Sequence, residues 1–256
     1  MYKRQNLHPS SETSFHALIN RKYVLHVHST TTIANAISQS SESDLRKYLD
    51  EDFIFVPYCR PGFTLTMEIK KLILPSTNIL VLENHGLIVA GDDIEDTYKL
   101  LLKIHEKLDL IRNEKLGLDF LEKITNIGGY IHKNTDKYKL FSTQNEKLFS
   151  LFSKSFYPDH VIFLGPGIPT FSEVKEANEF IQNLKRKNIN LPPYLILKNK
   201  GLFENTLAIP AAKEMIDCFL EVLLRIDLSK SFKFLSSHQE SELLNWDIEI
   251  YRQSIN

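Results

Sequence analysis

Cysteine and long apolar runs are scarce in this chain of 256 residues. Its two cysteines, Cys59 and Cys218, lie far apart and form no Cys-x-x-Cys pair, so no disulfide framework is indicated and a reducing compartment is favoured. The longest apolar pattern, residues 216–226, is interrupted by acidic and basic side chains and is too short to cross a bilayer. The first residues show no secretory pattern. We therefore predict a cytoplasmic protein with no membrane partner.

An excess of one charge is also absent. The chain has 31 basic and 32 acidic residues, which gives a formal net charge of -1. Proteins that bind nucleic acid normally carry a basic excess on one face, so nucleic acid is not predicted as a partner. Hydrophobic residues at 43% and charged residues at 25% are typical of globular proteins, and the length allows one large domain or two smaller ones.

Three histidines occur in contexts that favour metal binding. His26 and His28 belong to the apolar run 23–28, and residues two apart on a strand point the same way, so both imidazoles could bind one ion. A pair of packed imidazoles without a metal is the alternative. His85 follows an apolar strand in Glu83-Asn84-His85-Gly86, which on its own is a tight connection with Gly86 supplying unusual backbone angles.

A carboxylate precedes these histidines in Ser10-Ser11-Glu12, at the expected start of a helix. Three protein ligands with a fourth position left open are typical of a catalytic metal site. His16 lies four residues after Glu12, on the same side of a short helix, and is predicted to be a packing or supporting residue. The remaining histidines are predicted to be satisfied or solvated imidazoles without a metal: His8, His105, His132, His160 and His238.

The order and context of these motifs resemble the class II aldolase/adducin family, whose members include zinc-dependent sugar-phosphate aldolases. The resemblance runs from about His8 to about Arg112. Its motifs are Ser10-Ser11-Glu12, His26-Val27-His28, Val56-Pro57-Tyr58 with Pro61-Gly62, and Asn84-His85-Gly86 with Gly91. The remainder of the chain is similar to the second half of long bacterial aldolase-like proteins.

The resemblance implies that His26, His28 and His85 are metal ligands and that Glu12 is the catalytic acid/base. Ser10 and Ser11 match positions that help to hold the substrate phosphate, and a plain helix N-terminus is both an alternative and a compatible interpretation. Zn²⁺ suits three nitrogen ligands and an open position, although these ligand types also admit cobalt, nickel or manganese. In retro-aldol cleavage the cation acts as a Lewis acid on enediolate oxygens while the carboxylate moves the protons.

Family members carry a front portion before the Ser-Ser-Glu motif, with a Gly-Asn turn and a Ser-Gly turn that complete the phosphate and carbonyl pocket. Neither turn is present before Ser10, which predicts that the N-terminal part of the domain is missing from this sequence. Related aldolases often build the site near a subunit interface. The resemblance therefore implies a homo-oligomer.

Two classes of function stay open. The first is a metal-dependent lyase, an aldolase that cleaves or forms a C–C bond in a small sugar phosphate or related hydroxycarbonyl compound. Dehydratase or epimerase chemistry on the same scaffold is a close variant. The second class is a non-catalytic, adducin-like binding or assembly module. The presence of Glu12 together with all three histidines favours the enzyme, because a module free of catalysis has no physical need for that set.

Helical and strand patterns alternate up to about residue 112. Helices are predicted at residues 11–19, 32–37, 43–49, 64–73 and 92–112, and strands at residues 23–28, 53–57, 78–83 and 87–89. This alternation suits an α/β fold of three layers, α/β/α. Together with this layering, the resemblance implies that residues 6–115 form a class II aldolase-like domain.

The pattern changes near Leu116-Gly117. Residues 117–156 are predicted to be mainly amphipathic helix, interrupted by Gly128-Gly129, and a second α/β stretch follows. That stretch contains a predicted strand at 160–164, a helix at 173–185 and a strand at 194–198. Residues 116–256 are thus predicted to form a smaller α/β region.

Residues 197–202, with the sequence Leu-Lys-Asn-Lys-Gly-Leu, echo residues 82–87, with the sequence Leu-Glu-Asn-His-Gly-Leu. Each segment is followed after a few residues by a long amphipathic helix. A degenerate repeat and a chance similarity of strand-turn-strand units both explain the echo. In a repeat, Lys200 would replace His85, and the second copy would not bind the metal.

Overall fold

The computed structural model of the chain describes residues 10–111, residue 113 and residues 126–247. These residues form two compact units, each described below by itself. The first unit holds the described residues up to Ala36 together with Ser40–Leu108, and the second holds Ile37–Gln39 and the described residues from Asp109 onwards. The predicted domain boundary near residue 115 lies outside the described residues and stays a prediction. No helix in the described part of the chain is long and apolar enough to span a bilayer.

The first unit follows the alternation predicted for it. Its helices are α1 (Thr13–Leu18), α2 (Thr30–Ala36), α3 (Ser41–Tyr48), α4 (Phe63–Leu72) and α5 (Ile94–Leu108). Its strands are β1 (Tyr23–Val27), β2 (Ile54–Val56), β3 (Ile79–Leu82) and β4 (Gly86–Gly91). Every predicted element of this part is present, with ends that differ by a few residues.

The four strands form one sheet in the order β1-β4-β3-β2. Strands β2 and β3 are parallel, because helix α4 carries the chain back across the sheet between them, and the other neighbours are antiparallel. Adjacent strand residues face opposite sides. On one face, Val81 and Leu87 of the sheet pack against helices α3 and α5. On the other face, Leu80 and Ile88 pack against helices α1 and α4. The predicted α/β/α layering is confirmed for this unit.

The β3–β4 connection brings one predicted ligand onto the sheet. It is tight, with Asn84 in the left-handed region at φ 54° and the His85 N–H donating to Leu82 O at 3.2 Å. Gly86 does not supply the unusual backbone angles predicted for it. It is required for space instead, because a Cβ there would lie 2.4 Å from the carbonyl oxygen of Val27. Strand β1 therefore lies directly against the connection that carries His85.

The second unit is also mixed α/β. Its strands are β5 (Asn126–Ile127), β6 (Tyr130–His132), β7 (Thr170–Phe171), β8 (Tyr194–Leu197) and β9 (Gly201–Asn205). Its helices are α6 (Glu146–Leu151), α7 (Pro158–Leu164), α8 (Val174–Arg186), α9 (Pro210–Arg225) and α10 (Ser237–Leu244), with a 3-10 helix at Asp136–Ser142. The strands form one sheet in the order β5-β6-β9-β8-β7.

Two predictions for this unit are wrong. Residues 160–164 are part of helix α7 and not a strand; all seven residues of α7 are buried, so the apolar run shows no helical periodicity. Residues 126–142 do not form an amphipathic helix. Gly128 and Gly129, both with positive φ, form the turn of a hairpin between β5 and β6. The 3-10 helix comes after this hairpin. The part of the predicted helix at 114–125 lies outside the described residues.

Candidate metal centre

Two of the candidate ligands lie along one edge of the first sheet. His26 is in β1, opposite Ile88 of β4, and His28 follows the strand end. Their rings lie 5.0 Å apart between centroids, and the two Nε2 atoms are 3.1 Å apart. The alternation of strand side chains places both imidazoles on the same side, as the sequence predicts.

His85 completes a group of three imidazoles. His85 as a whole residue is 3% exposed, and its Nε2 lies 3.1 Å from Nε2 of His28. Its ring centroid is 5.1 Å from that of His26. The short β3–β4 connection holds this side chain over the end of β1, because Gly86 allows the two backbones to approach closely.

Glu12 closes the group from the other side. It stands at the N-cap position of α1 without a capping hydrogen bond from its side chain. This short helix packs onto the sheet through the fully buried Phe15, whose ring meets that of His26 edge-on at 5.3 Å. Glu12 Oε1 lies 3.1 Å from His85 Nε2 and 3.5 Å from His26 Nε2. The side chains of His26 and His85 are 6% and 4% exposed, and that of Glu12 is 19% exposed.

These four side chains could hold a metal ion. One ligand atom from each of Glu12, His26, His28 and His85 lies within 4.8 Å of all the others. Ligand atoms about 2.0–2.1 Å from a tetrahedral ion are separated from one another by about 3.3 Å. The observed spacings of 3.1–3.5 Å between neighbouring ligand atoms are therefore close to those of a four-coordinate centre.

A hydrogen bond of the His26 ring supports the same interpretation. Its Nδ1 lies 3.0 Å from the carbonyl oxygen of Leu87, and a carbonyl can only accept a hydrogen bond. Nδ1 therefore donates its N–H to the Leu87 carbonyl, and Nε2 is the ring nitrogen that faces the cluster. Such a hydrogen bond to the outer nitrogen is the usual way in which proteins orient a metal-binding imidazole.

Charge and burial act against each other at Glu12. Burial alone would raise the pKa of its carboxyl group, but hydrogen bonds and charge interactions with His26 and His85 outweigh burial and lower the pKa below its ordinary range. At His85, burial lowers the pKa to about 4, and the hydrogen bond with Glu12 opposes this. An ionised carboxylate at Glu12 and a neutral imidazole at His85 are the protonation states that a divalent cation requires of such groups.

Further polar contacts support the strand ends around the cluster. The buried Glu83 accepts a hydrogen bond from the Tyr58 N–H at 2.9 Å, which ties the loop after β2 to the β3–β4 connection. The hydroxyl oxygen of Thr31 lies 3.1 Å from Nδ1 of His105. His16 stacks on Phe15 with ring centroids 4.7 Å apart, which agrees with its predicted packing role.

Ser10 and Ser11 lie immediately before Glu12. The Glu12 N–H donates to Ser10 Oγ at 3.2 Å, so this hydroxyl stabilises the turn that leads into α1. Ser10 is exposed and Ser11 is partly exposed. Their predicted role in holding a substrate phosphate stays a prediction, as does the missing front portion of the domain, since residues 1–9 lie outside the described residues.

The other histidines that the structure describes are not part of this cluster. His238 lies on α10, 3.5 Å from Glu242, and its side chain is 83% exposed. His132 is buried and stacks on Phe203. His160 does not fit the prediction of a satisfied or solvated imidazole: it is fully buried, and neither ring nitrogen has a hydrogen-bond partner within the described ranges. His8 lies outside the described residues.

One contributor to the centre could not be found from the sequence. The carbonyl of Leu87 selects the ring nitrogen that His26 presents, and every residue has a carbonyl. Only the register that pairs β1 with β4 places this carbonyl beside His26. No residue type marks such a position.

Residues 2–110 match the family described as Class II Aldolase and Adducin N-terminal domain. The matched range contains the α/β/α sheet and the cluster of Glu12 and three histidines. The predicted resemblance is therefore confirmed over this range.

The chain is also similar to a bacterial and an archaeal protein. The chain is 29% identical over 111 residues to a Bacillus subtilis (strain 168) protein called "Uncharacterized oxidoreductase YuxG", covering 43% of this chain and 16% of that protein. A solved N-terminal class II aldolase domain of a conserved protein from Thermoplasma acidophilum is 29% identical, with a TM-score of 0.37, over 39% of this chain and 46% of that one. The chain thus spans a small part of the length of the Bacillus protein.

Proposed function

We propose that the chain is a metal-dependent lyase, an aldolase that cleaves or forms a C–C bond in a small, phosphorylated ketose or related hydroxycarbonyl compound. The observation that carries the proposal is the convergence of the Nε2 atoms of His26, His28 and His85, with a Glu12 carboxylate oxygen 3.1 Å from Nε2 of His85. Zn²⁺ is the proposed ion, because it favours nitrogen ligands in tetrahedral geometry. When bound, it would supply Lewis-acid stabilisation of negative charge on substrate oxygen.

The residues of the chain would divide the remaining work. Glu12 is ionised at neutral pH, since its carboxyl pKa is lowered, so it begins as a base. It would accept the proton of a substrate hydroxyl, after which the neighbouring C–C bond breaks and its electron pair passes into an enediolate. The protonated Glu12 would then return the proton to the enediolate carbon. His26, His28 and His85 would hold the ion, with the Leu87 carbonyl keeping His26 in the required tautomer.

Substrate binding is proposed for the segment before α1. Ser10 and Ser11 lie next to Glu12 in the chain and are accessible to solvent, so their hydroxyl and backbone N–H groups can reach a phosphate beside the cluster. We place the activity in the cytoplasm, because Cys59 and Cys218 are both free thiols. Dehydratase or epimerase chemistry on the same residues begins with the same proton removal.

The non-catalytic alternative is less favoured for an energetic reason. Burying charged and polar side chains costs free energy unless they gain partners, and here three imidazoles and a carboxylate are gathered with their ligand atoms facing each other. A purely structural module would be more stable with apolar residues there. The name of the Bacillus relative does not favour redox chemistry in this chain, since the match covers 16% of that protein.

The proposal is tested by separating metal binding from proton transfer. Glu12→Gln should lower turnover of a sugar phosphate by about 10²–10⁴-fold while most of the bound metal remains. His26→Ala should instead remove the metal, as measured by elemental analysis of the purified protein. His238→Ala is the matched control, because this exposed histidine is far from the cluster in sequence and belongs to no metal-binding group among the described residues. Equal metal content in wild type and His26→Ala would contradict the assignment.

A further inference from the structure

The two sheets share one pattern of strand directions. In the first unit, β2 is parallel to β3, β3 is antiparallel to β4, and β4 is antiparallel to β1. In the second unit, β7 is parallel to β8, β8 is antiparallel to β9, and β9 is antiparallel to β6. A crossover helix joins the parallel pair in each unit, α4 in the first and α8 in the second, and a long helix follows the hairpin in each, α5 and α9.

The hydrogen-bond registers of the two sheets also agree residue by residue. Leu82 pairs with Gly86, and Leu197 pairs with Gly201, 115 residues later. The same separation relates the pair Ile79 and Val89 to the pair Tyr194 and Glu204. The parallel edge strand keeps this separation, since Val56 pairs with Leu82 and Phe171 pairs with Leu197. A chance likeness of topology would not fix the register of three strands at one offset.

The turns of the two hairpins agree as well. Asn84 and Asn199 both adopt left-handed backbone angles, at φ 54° and φ 60°. The His85 N–H donates to Leu82 O at 3.2 Å, and the Lys200 N–H donates to Leu197 O at 3.0 Å. Lys200 therefore occupies the position that His85 occupies in the first unit.

The remaining strand places a histidine at a second equivalent position. His26 pairs with Ile88 in the first sheet, and His132 pairs with Phe203 in the second, where Phe203 corresponds to Ile88. Residue 134, two positions further, is Asn134 where the first unit has His28. The His132 imidazole forms a hydrogen bond with the Lys200 backbone, so this strand end and the hairpin also meet in the second unit.

The length of chain between two equivalent strands differs between the units. Equivalent residues of β1 and β6 are 106 positions apart in the sequence, whereas those of β2 and β7 are 115 apart. The chain from β6 to β7 is therefore nine residues longer than the chain from β1 to β2. Helix α7, with its fully buried residues, lies in that stretch. An addition of this kind between conserved strands is how copies of one fold usually diverge.

We infer that the second unit is a second copy of the first unit's fold, in which Asn134 and Lys200 stand at two of the three histidine ligand positions while His132 keeps the third. The wild-type second unit rejects a divalent cation at this place, because the ammonium group of Lys200 is positive and has no lone pair to donate. A divalent transition metal is the ligand class that two substitutions would restore. The strand correspondence holds independently of the reaction proposed for the first unit.

The test restores the histidines in the full chain. Asn134→His/Lys200→His should bind one more Co²⁺ per chain than wild type, measured by elemental analysis and by the visible absorption of the bound ion. Ile131→His/Lys200→His is the matched control: Ile131 neighbours His132 on β6 and faces the opposite side of the sheet, so this variant should gain no ion. A folded Asn134→His/Lys200→His variant with no additional Co²⁺ would overturn the inference.

A crystal structure of the wild-type chain provides a measurement that needs no variant. After β8 and β9 are superposed on β3 and β4, the Cα atoms of His132 and Lys200 should coincide with those of His26 and His85 to well within one residue spacing, about 3.3 Å. A slip of one residue would turn the side chain to the other face and refute the correspondence. Wild-type protein without any bound metal would count against the first-unit centre only, since the gain in the double variant is measured relative to wild type.

Discussion

His160 is a fully buried imidazole held among aromatic rings. Its ring centroid lies 4.5 Å from that of Phe219 and 5.7 Å from that of Tyr157. Neither ring nitrogen has a hydrogen-bond partner among the residues that the structure describes. Burial lowers the pKa of His160 to about 3, so the folded protein keeps this side chain neutral.

This histidine should make the protein sensitive to acid. Between about pH 6.5 and pH 3 the unfolded chain binds a proton at His160 that the folded protein does not bind, so the free energy of unfolding falls as the pH falls. One such group contributes a slope of about 1.4 kcal/mol per pH unit. His160→Phe should flatten the dependence of unfolding free energy on pH, measured by urea titration at pH 7 and pH 5. The exposed His238→Phe should leave it as in wild type.

At the scale of single residues, the sequence predicted which side chains form the cluster, but it did not predict the burial of His160. Glu12, His26, His28 and His85 could be selected because their side chains are the chemistry of a metal site. The burial of His160 could not be predicted in the same way. Its run of apolar neighbours is equally consistent with a strand whose alternate residues reach solvent. The distinction depends on α9, which packs against α7 and is distant in sequence.

The β3–β4 hairpin depends on the absence of a side chain at Gly86. Gly86→Ala would place a methyl group 2.4 Å from the Val27 carbonyl oxygen, so β1 and the hairpin must separate. We expect a loss of about 1–3 kcal/mol of stability together with a loss of bound metal, because His28 and His85 lie on the two segments that separate. Thermal melting and elemental analysis measure the two effects.

Gly129→Ala is the control for this substitution. A Cβ at Gly129 meets no atom within 4 Å, although its φ of +105° makes the change mildly unfavourable. This variant should lose some stability and keep its full metal content. If Gly86→Ala also kept its metal, the close approach of β1 would not be what positions His85.

Among the elements, the first unit was predictable because its strands are short apolar runs separated by turn residues and its helices keep an apolar side. Helix α7 was not predictable in this way, because all seven of its residues are buried and the run therefore shows no apolar side. Its ends nevertheless carried the usual signals: Pro158 begins it and Gly165 follows it. The β5–β6 hairpin was missed because Gly128-Gly129 was interpreted as a break in a helix rather than as the turn of a hairpin.

At the scale of the whole molecule, we expect a homo-oligomer. Helix α5 exposes an apolar stripe on its outer side, with Ile94 at 41%, Tyr98 at 52% and Leu102 at 41% exposure. These residues are four apart and share one helix face. Light scattering coupled to size-exclusion chromatography should give a mass above the 29.7 kDa of one chain.

Tyr98→Glu/Leu102→Lys tests whether this stripe is the contact, and it should shift the protein towards the monomer. The control is Leu207→Lys, which changes a side chain that is 85% exposed in the second unit and should leave the mass unchanged. A wild-type protein that is monomeric at micromolar concentration would exclude the oligomer. Neither the stripe nor its partner can be recognised from the sequence alone, because the same spacing also describes a buried helix face.

The spacing of the proposed ligands along the chain would give a bound metal a second role, that of a cross-link. His28 and His85 are 57 positions apart, so an ion bound to both closes a long loop that the unfolded chain would otherwise leave open. A ligand that binds only the folded form stabilises it, by about 2.7 kcal/mol when its concentration is 100 times its dissociation constant. A chelator should therefore lower the melting temperature of wild type and leave that of His26→Ala unchanged. Calorimetry would then report occupancy of the centre without any knowledge of the substrate.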